Sequence, residues 1–299
     1  MSEEVKEISN KEKVKTENGS NQTKGCDSKN CSKTDCKSCA KKKKNLKLPP
    51  NEKNKIKKIV AVVSGKGGVG KSSVTAMIAV ALRKQGYKVG VLDADITGPS
   101  IPQVFGVHAM AEASKKNGII PLETSTGIKL MSINLLLEAE DAPVVWRGPV
   151  IAGVVKQFWT DVIWGELDYL LIDMPPGTGD VPLTVFQSFP VNGILMITTP
   201  QSLVSMIVKK ACKMADRMQI PVLGVIENYS YIRCATCGDK MPLFGKSKLE
   251  EFAKENNLEI LGQLPMDSKF TELEDEGRVE EYEMEELQKA VDAVKALMN

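Results

Sequence analysis

Histidine is almost absent from this chain of 299 residues: the single copy, His108, has no motif around it and reads as structural or solvent-exposed. Long apolar runs are missing too. No stretch of about 18 uncharged apolar residues occurs, so a membrane-spanning helix is excluded. The N-terminus has no apolar segment resembling the core of a secretory signal, which predicts a cytoplasmic chain. In a reducing cytosol the seven cysteines favour metal or redox chemistry over disulfides. Large apolar side chains are nearly missing from the first fifty residues, which are rich in Lys, Ser, Asn, Glu and Thr. Such a segment cannot offset its ordering entropy by burial, so it is expected to be disordered.

Charge is present in both signs but unevenly. Residues 1–58 hold 17 lysines against 8 acids, whereas the remainder holds 23 basic against 30 acidic residues. The change marks a boundary near Pro49-Pro50 and divides the chain into a basic arm, 1–54, and a globular domain, 55–299. Lys41–Lys44 lack interleaved aromatic residues that would stack on bases, so they read as a solvated linker and no nucleic-acid partner is expected. Residues 272–286 carry nine acids and one arginine and read as an exposed turn and acidic helix start.

From Ile56 onward, strand-like and helix-like patterns alternate. Apolar runs at 57–63, 87–92, 169–172, 193–198, 222–226 and 260–264 predict strands. Helical patterns cover 71–85, 147–163, 180–189, 202–218, 247–257 and 283–298. In the last, Leu287, Val291, Val294 and Leu297 share one face that docks on the body. This terminus is not basic, as membrane targeting would need, so no membrane partner is expected. Residues 118–133 read as a small hairpin insertion. Apolar runs without polar alternation are covered on both faces. The fold class is therefore α/β: a doubly wound, mostly parallel sheet flanked by helices, with its chemistry at the C-terminal strand ends.

One such end carries Gly65-Lys66-Gly67-Gly68-Val69-Gly70-Lys71-Ser72-Ser73. Glycines let backbone N–H groups converge on phosphate oxygens at a helix N-terminus, and the dipole favours the anion. Lys71 is expected to reach the β- and γ-phosphates of ATP, and the Ser72 hydroxyl to bind Mg²⁺. Asp93-Ala94-Asp95 and Asp173-Met174-Pro175-Pro176-Gly177 each follow a buried strand and bring carboxylates to where Mg²⁺ would sit.

The thiols form two groups. Cys234-x2-Cys237 offers two ligands where zinc or a [4Fe–4S] cluster wants four, so one chain supplies half a site and a two-fold dimer the whole. Iron–sulfur, zinc and a metal-free dithiol all suit that spacing. Cys26-x4-Cys31-x4-Cys36-x2-Cys39 has four candidate ligands on one segment and is open to zinc, a cluster or transient metal binding. Cys212, on a helical pattern with Val208, Ala211 and Ala215, reads as core packing.

The second lysine of the loop, Lys66, makes it resemble the deviant Walker group of MinD, ParA and the nitrogenase iron protein. Within that group, Asp93-Ala94-Asp95-Ile96-Thr97-Gly98-Pro99-Ser100, Trp146-Arg147-Gly148-Pro149 and Ile172 to Asp180 resemble the Mrp/ApbC iron–sulfur carrier ATPases. Thr199-Pro200-Gln201, Glu227-Asn228-Tyr229-Ser230 and Cys234-x2-Cys237 are similar as well, and the likeness covers about residues 55–270. It implies that Lys66 acts across a homodimer on the partner's phosphates and that Asp95 positions or deprotonates the attacking water. It further implies that Asp173 holds Mg²⁺ and that Asn228 hydrogen-bonds adenine, with Pro265 and Asp267 nearby. Cys234 and Cys237 would then hold a labile [4Fe–4S] cluster passed to apo iron–sulfur client proteins, with slow hydrolysis. Related eukaryotic scaffolds also carry four N-terminal cysteines, but with a much longer first gap than here. The alternative is a spatial-organising ATPase of the MinD/ParA kind that binds membrane or DNA, which the Cys-x2-Cys loop disfavours. A nitrogenase-like redox role would need cysteines near Ser100–Phe105 and after Asp173, where there are none.

Overall fold

The computed structural model describes residues 47–114, 118–137, 146, 148–201, 204–245 and 247–299, with only the backbone described for 204–208. The expectations for Cys26, Cys31, Cys36, Cys39 and Arg147 lie outside the described residues. The backbone joins the body at Leu48, whose amide donates to the Ser188 carbonyl at 2.8 Å and whose carbonyl accepts from the Trp159 indole at 3.0 Å.

The central strand β1 (Lys55–Ser64) alternates exposed and half-buried residues at its start, then buries all of Ile59–Ser64. That switch follows from position: β1 lies between two parallel neighbours with helices over both faces, so water is excluded from its second half. The other strands are β2 (Val89–Asp93), β3 (Ala113–Ser114), β4 (Gly118–Ile119), β5 (Leu122–Glu123), β6 (Lys129–Met131), β7 (Glu166–Asp173), β8 (Gly193–Thr198), β9 (Val222–Arg233), β10 (Lys240–Met241) and β11 (Ile260–Pro265). Among the described residues the main sheet runs β10-β9-β8-β1-β7-β2-β6-β5, with β11 also on β9. Only the β5–β6 and β9–β10 pairs in it are antiparallel. The expected mostly parallel sheet is therefore observed.

The helices are α1 (Lys71–Lys84), α2 (Ile101–Val104), α3 (Gly148–Thr160), α4 (Asp180–Ser188), α5 (Val204–Met218), α6 (Leu249–Glu255), α7 (Ser268–Asp275) and α8 (Gln288–Lys295). Trp159, Trp164, Tyr169, Phe158, Phe186 and Phe189 are among the largest fully buried side chains of a continuous core. In α8 and the turn before it, Leu287, Val291 and Val294 are buried as expected, although 283–298 is broken into a short helix between single 3₁₀ turns.

Two readings change. Within 118–133 β5 and β6 do pair as an antiparallel hairpin, but it is part of the main sheet rather than an insertion: β6 lies parallel to β2, with Leu130 opposite Val91, while β4 pairs with β3. Leu130 and Met131 are fully buried there, so packing on the sheet outweighs local pairing. The strand expected at 222–226 continues to Arg233, because it passes through a bulge and then pairs with β10.

Candidate functional site

The P-loop emerges where β1 ends. Gly68 and Gly70 both adopt φ near +73°, the left-handed region that glycine tolerates without strain. A Cβ on Gly70 would also strike the Asn228 amide and come within 2.8 Å of the Tyr229 hydroxyl. Gly70 caps α1, which has no side-chain cap hydrogen bond and no acid in its first turn. Its first N–H groups are therefore left for an anion, with the helix dipole behind them.

Asp173, at the end of β7 and completely buried, organises the loop's floor. Its carboxylate accepts from Lys71 Nζ at 2.6 Å, Ser72 Oγ at 2.6 Å and Thr75 Oγ1 at 2.9 Å. Lys71 is only 6% exposed, so this is a buried ion pair. Deleting one partner of such a pair costs about 3–5 kcal/mol, because the other charge is stranded. Ser72 and Asp173 present hard oxygen donors side by side, the set that suits Mg²⁺. They fit the ion, which when bound supplies positive charge against phosphate oxygens.

The neighbouring strand end is built differently. Asp93 pairs in register with Asp173 and is 1% exposed. It accepts backbone N–H groups from Asp95 at 3.1 Å, Ser100 at 3.0 Å and Ile101 at 3.2 Å. Burial, and then the Asp173 carboxylate, push its carboxyl up to about 7 against the opposing pull of Lys71. Asp93 thus folds the turn that delivers Asp95 half-buried to the cleft, where Thr97 Oγ1 donates to it at 3.0 Å.

The cleft encloses about 370 Å³ and is lined by residues 66–73 together with Asp95, Pro176, Tyr229 and Glu274. Gly65 is buried just before the lining residues. Lys66 lines the cleft and donates its ammonium to Gln201 Oε1. Asn228 is buried beside the loop and donates to the Val69 carbonyl at 3.0 Å. Pro265 and Asp267 are not among the lining residues: Pro265 is the last residue of β11, and Asp267 caps α7 by accepting from the Lys269 amide at 2.9 Å. Tyr282 also donates its hydroxyl to Asp267, at 2.6 Å.

Sequence reasoning gave no role to Thr75, Gln201, Tyr229 or Glu274. The acidic segment 272–286 is also more than the exposed turn expected of it. Glu274 accepts from Ser73 Oγ at 2.5 Å, and burial pushes its carboxyl upward. Glu280 accepts from Thr124 Oγ1 at 2.5 Å and Glu286 from the Tyr231 hydroxyl at 3.0 Å. Within a run of like charges nothing local distinguishes these three from their solvated neighbours.

Beyond the cleft, β9 leads into the cysteine loop and returns as β10. The Cys234 amide donates to the Asp239 carbonyl at 2.9 Å and Gly238 donates to the Cys234 carbonyl at 2.8 Å, closing a tight knuckle. Gly238 takes φ +77°, which this turn requires. Cys237 is exposed and its Sγ donates to Asp239 Oδ2 at 3.2 Å. The backbone N–H groups of Cys237 and Thr236 point at the Cys234 sulfur and lower its pKa to about 7. That favours thiolate, the metal-binding form. Among the described residues no group of three or more His, Cys, Asp or Glu is placed to hold a metal. The knuckle itself offers two thiols, Cys234 and Cys237. Cys212 packs half-buried against the Met196 sulfur at 3.5 Å, in keeping with a core role.

A glycine loop between a buried parallel strand and an uncapped helix, with a buried acid from a second strand at its floor, defines a P-loop NTPase. The fold is that of the Aquifex aeolicus cell-division protein MinD in complex with MinC, at TM-score 0.55 and 20% identity over 81% of this chain and 95% of that one. A family model described as ParA, the NUBPL iron-transfer P-loop NTPases, matches residues 55–298, and the chain belongs to that family. The iron–sulfur cluster carrier protein of Clostridium perfringens is 51% identical over 243 residues, 79% of this chain and 85% of that protein. Its namesake in Methanocaldococcus jannaschii is 49% identical over 225 residues, 75% and 78% of the two chains. A nucleotide-binding protein from Archaeoglobus fulgidus, solved in complex with ADP, superposes with TM-score 0.70 at 47% identity, covering 78% of this chain and 91% of that one.

Proposed function

We propose that this protein is an ATP-binding and slowly ATP-hydrolysing iron–sulfur carrier of the cytoplasm, which holds a [4Fe–4S] cluster between two copies and passes it to apo-proteins. The observation that carries this reading is the course of β9. One strand runs from Asn228, hydrogen-bonded to the P-loop, to the Cys234–Cys237 knuckle six residues further on. Relatives named as iron–sulfur cluster carriers support it, as does one described in complex with ADP.

In this reading Lys71 and the α1 amides bind the phosphates. Asp95 orients the attacking water and takes its proton as oxygen bonds to the γ-phosphorus and the bond to the leaving ADP oxygen breaks. Lys66 leaves Gln201 to reach the phosphates of a second copy. Asn228 contacts the adenine, and Pro265 and Asp267 border its pocket. The cluster is cargo: two thiolates from each copy complete its four ligands. Cys26, Cys31, Cys36 and Cys39 form a second thiol site on the arm.

Anaerobic purification followed by iron, sulfide and zinc quantitation and electronic spectroscopy tests this. Iron and sulfide near four each per dimer are expected. They should persist in protein starting at Pro49, which lacks the arm's thiols, and disappear when Cys234→Ser/Cys237→Ser is made in that shortened protein. Zinc in place of iron, or a cluster retained by the double variant, would overturn the cargo assignment. A Lys66→Ala protein that dimerises and hydrolyses ATP at the parent rate would overturn the role of that lysine.

A further inference from the structure

Between the nucleotide cleft and the thiols, β9 contains a defect. Glu227 is opposite Gln263 of β11, but the next pairing is Tyr231 with Pro265, so four steps on β9 match two on its neighbour. The two extra residues form a bulge that carries Asn228 and Tyr229 to the P-loop. Tyr229 pays no glycine-like freedom into this turn yet sits at φ +55°, a strained position for a bulky side chain. A strained bulge needs something to hold it.

Glu227 does so. It is 2% exposed, and its carboxylate accepts from Ser230 Oγ at 2.6 Å, from Ser247 Oγ at 2.6 Å and from Gln263 Nε2 at 2.9 Å. Each donor belongs to a different segment. Ser230 closes the bulge on itself, Gln263 ties it to β11, and Ser247 ties it to the chain returning from the knuckle, where it also accepts the Leu249 amide at 3.0 Å. All three donors are neutral, so among the described residues no salt bridge accounts for burying this carboxylate. Three oriented donors compensate its desolvation and fix its geometry.

We propose that Glu227 is a positioning residue that couples the nucleotide cleft to the cysteine knuckle. With its carboxylate in place, a shift of Asn228 and Tyr229 on nucleotide binding is carried along β9 to Cys234 and through Ser247 to the returning segment. Without it, the bulge absorbs the shift. The proposal deepens the function proposed above, but its readout needs no cluster.

The test uses the full-length, metal-free, reduced protein, with alkylation of Cys234 and Cys237 by iodoacetamide followed by mass spectrometry of the peptides. In the parent protein Mg-ADP is expected to change the alkylation rate about fivefold, the lower end of ordinary coupling between sites. Glu227→Gln presents an amide N–H₂ to a ring of donors and should reduce that ratio to near one. Each protein is measured at saturating Mg-ADP, so that a change in ADP affinity does not enter the ratio. Ser247→Ala, which leaves the bulge and β11 contacts intact, should weaken the ratio partially and guards against misfolding of the first variant. A parent ratio of one, or a parent-like ratio in both variants, overturns the coupling and leaves the carrier assignment standing. Loss of iron in the parent with the ratio intact would do the reverse.

Discussion

The two candidate sites lie on one sheet and are built on opposite plans. At the cleft, Asp173 is completely buried and satisfied by three donors from a single helix, so the parts are in place within one chain. At the knuckle, half-buried Cys234 and exposed Cys237 sit in a short surface turn beside Thr236 and Asp239, and supply two thiols where a four-thiolate cluster would take four. A preorganised site of the first kind can bind without reorganising. In the proposed function the second site is completed by another copy, which would suit a ligand that must be taken up and released. The difference teaches where the proposed function divides control from cargo.

Lys71→Ala should separate the two most sharply. It strands the Asp173 charge and removes a phosphate ligand, so ADP affinity by fluorescence titration should fall about 100-fold, or about 3 kcal/mol, the scale for truncating a buried charge pair. The knuckle should be untouched, with parent alkylation of Cys237 in the absence of nucleotide. If ADP binding survives, the cleft is not the nucleotide site.

Gly70→Ala probes the same plan through the backbone. The left-handed φ alone should cost about 1–3 kcal/mol, and the collision with Asn228 adds to it. Thermal unfolding and ADP titration should both decline, and a Tm equal to that of the parent would show that the loop is not held as described. Cys234→Ser/Cys237→Ser should do the converse. Stability and ADP affinity should change by no more than about 0.5 kcal/mol, as for surface positions. A larger loss of ADP affinity would mean that the two sites are not built separately.

The smallest effect is one of pH. The Cys234 pKa is lowered from 9.0 to about 7 by backbone N–H groups, so thiolate accumulates as pH rises through 7 and is lost as pH falls through it. Alkylation of Cys234 in metal-free protein should therefore reach half its maximal rate near pH 7. A midpoint near 9 would mean that the knuckle amides do not reach the sulfur in solution.

Much of this was readable beforehand for identifiable reasons. Strands β1, β2, β7 and β8 are buried on both faces and so appear as uninterrupted apolar runs, and α1 follows its glycines at helical spacing. The loop was legible because converging backbone amides demand glycine and a phosphate demands lysine. Glu274 was not, since one acid that turns inward has the same letters around it as those in solvent. Nor was the end of β9, because its bulge breaks the two-residue period that marks a strand.

The chain's residues alone determined the alternation of strand and helix, the phosphate loop and the pairing of thiols, since each is a local pattern with a local cause. Only the tertiary structure decided that β6 joins the main sheet, that Glu274 enters the cleft and that Glu227 anchors a bulge between nucleotide and cysteines. Those outcomes depend on partners far away in sequence: Glu274 meets Ser73, and Glu227 meets Ser247 and Gln263. No spacing rule connects such residues; the packing of helices and loops onto the sheet brings them together. The loop at Gly65–Ser73 is thus a property of the sequence, and its connection to Cys234 is a property of the fold.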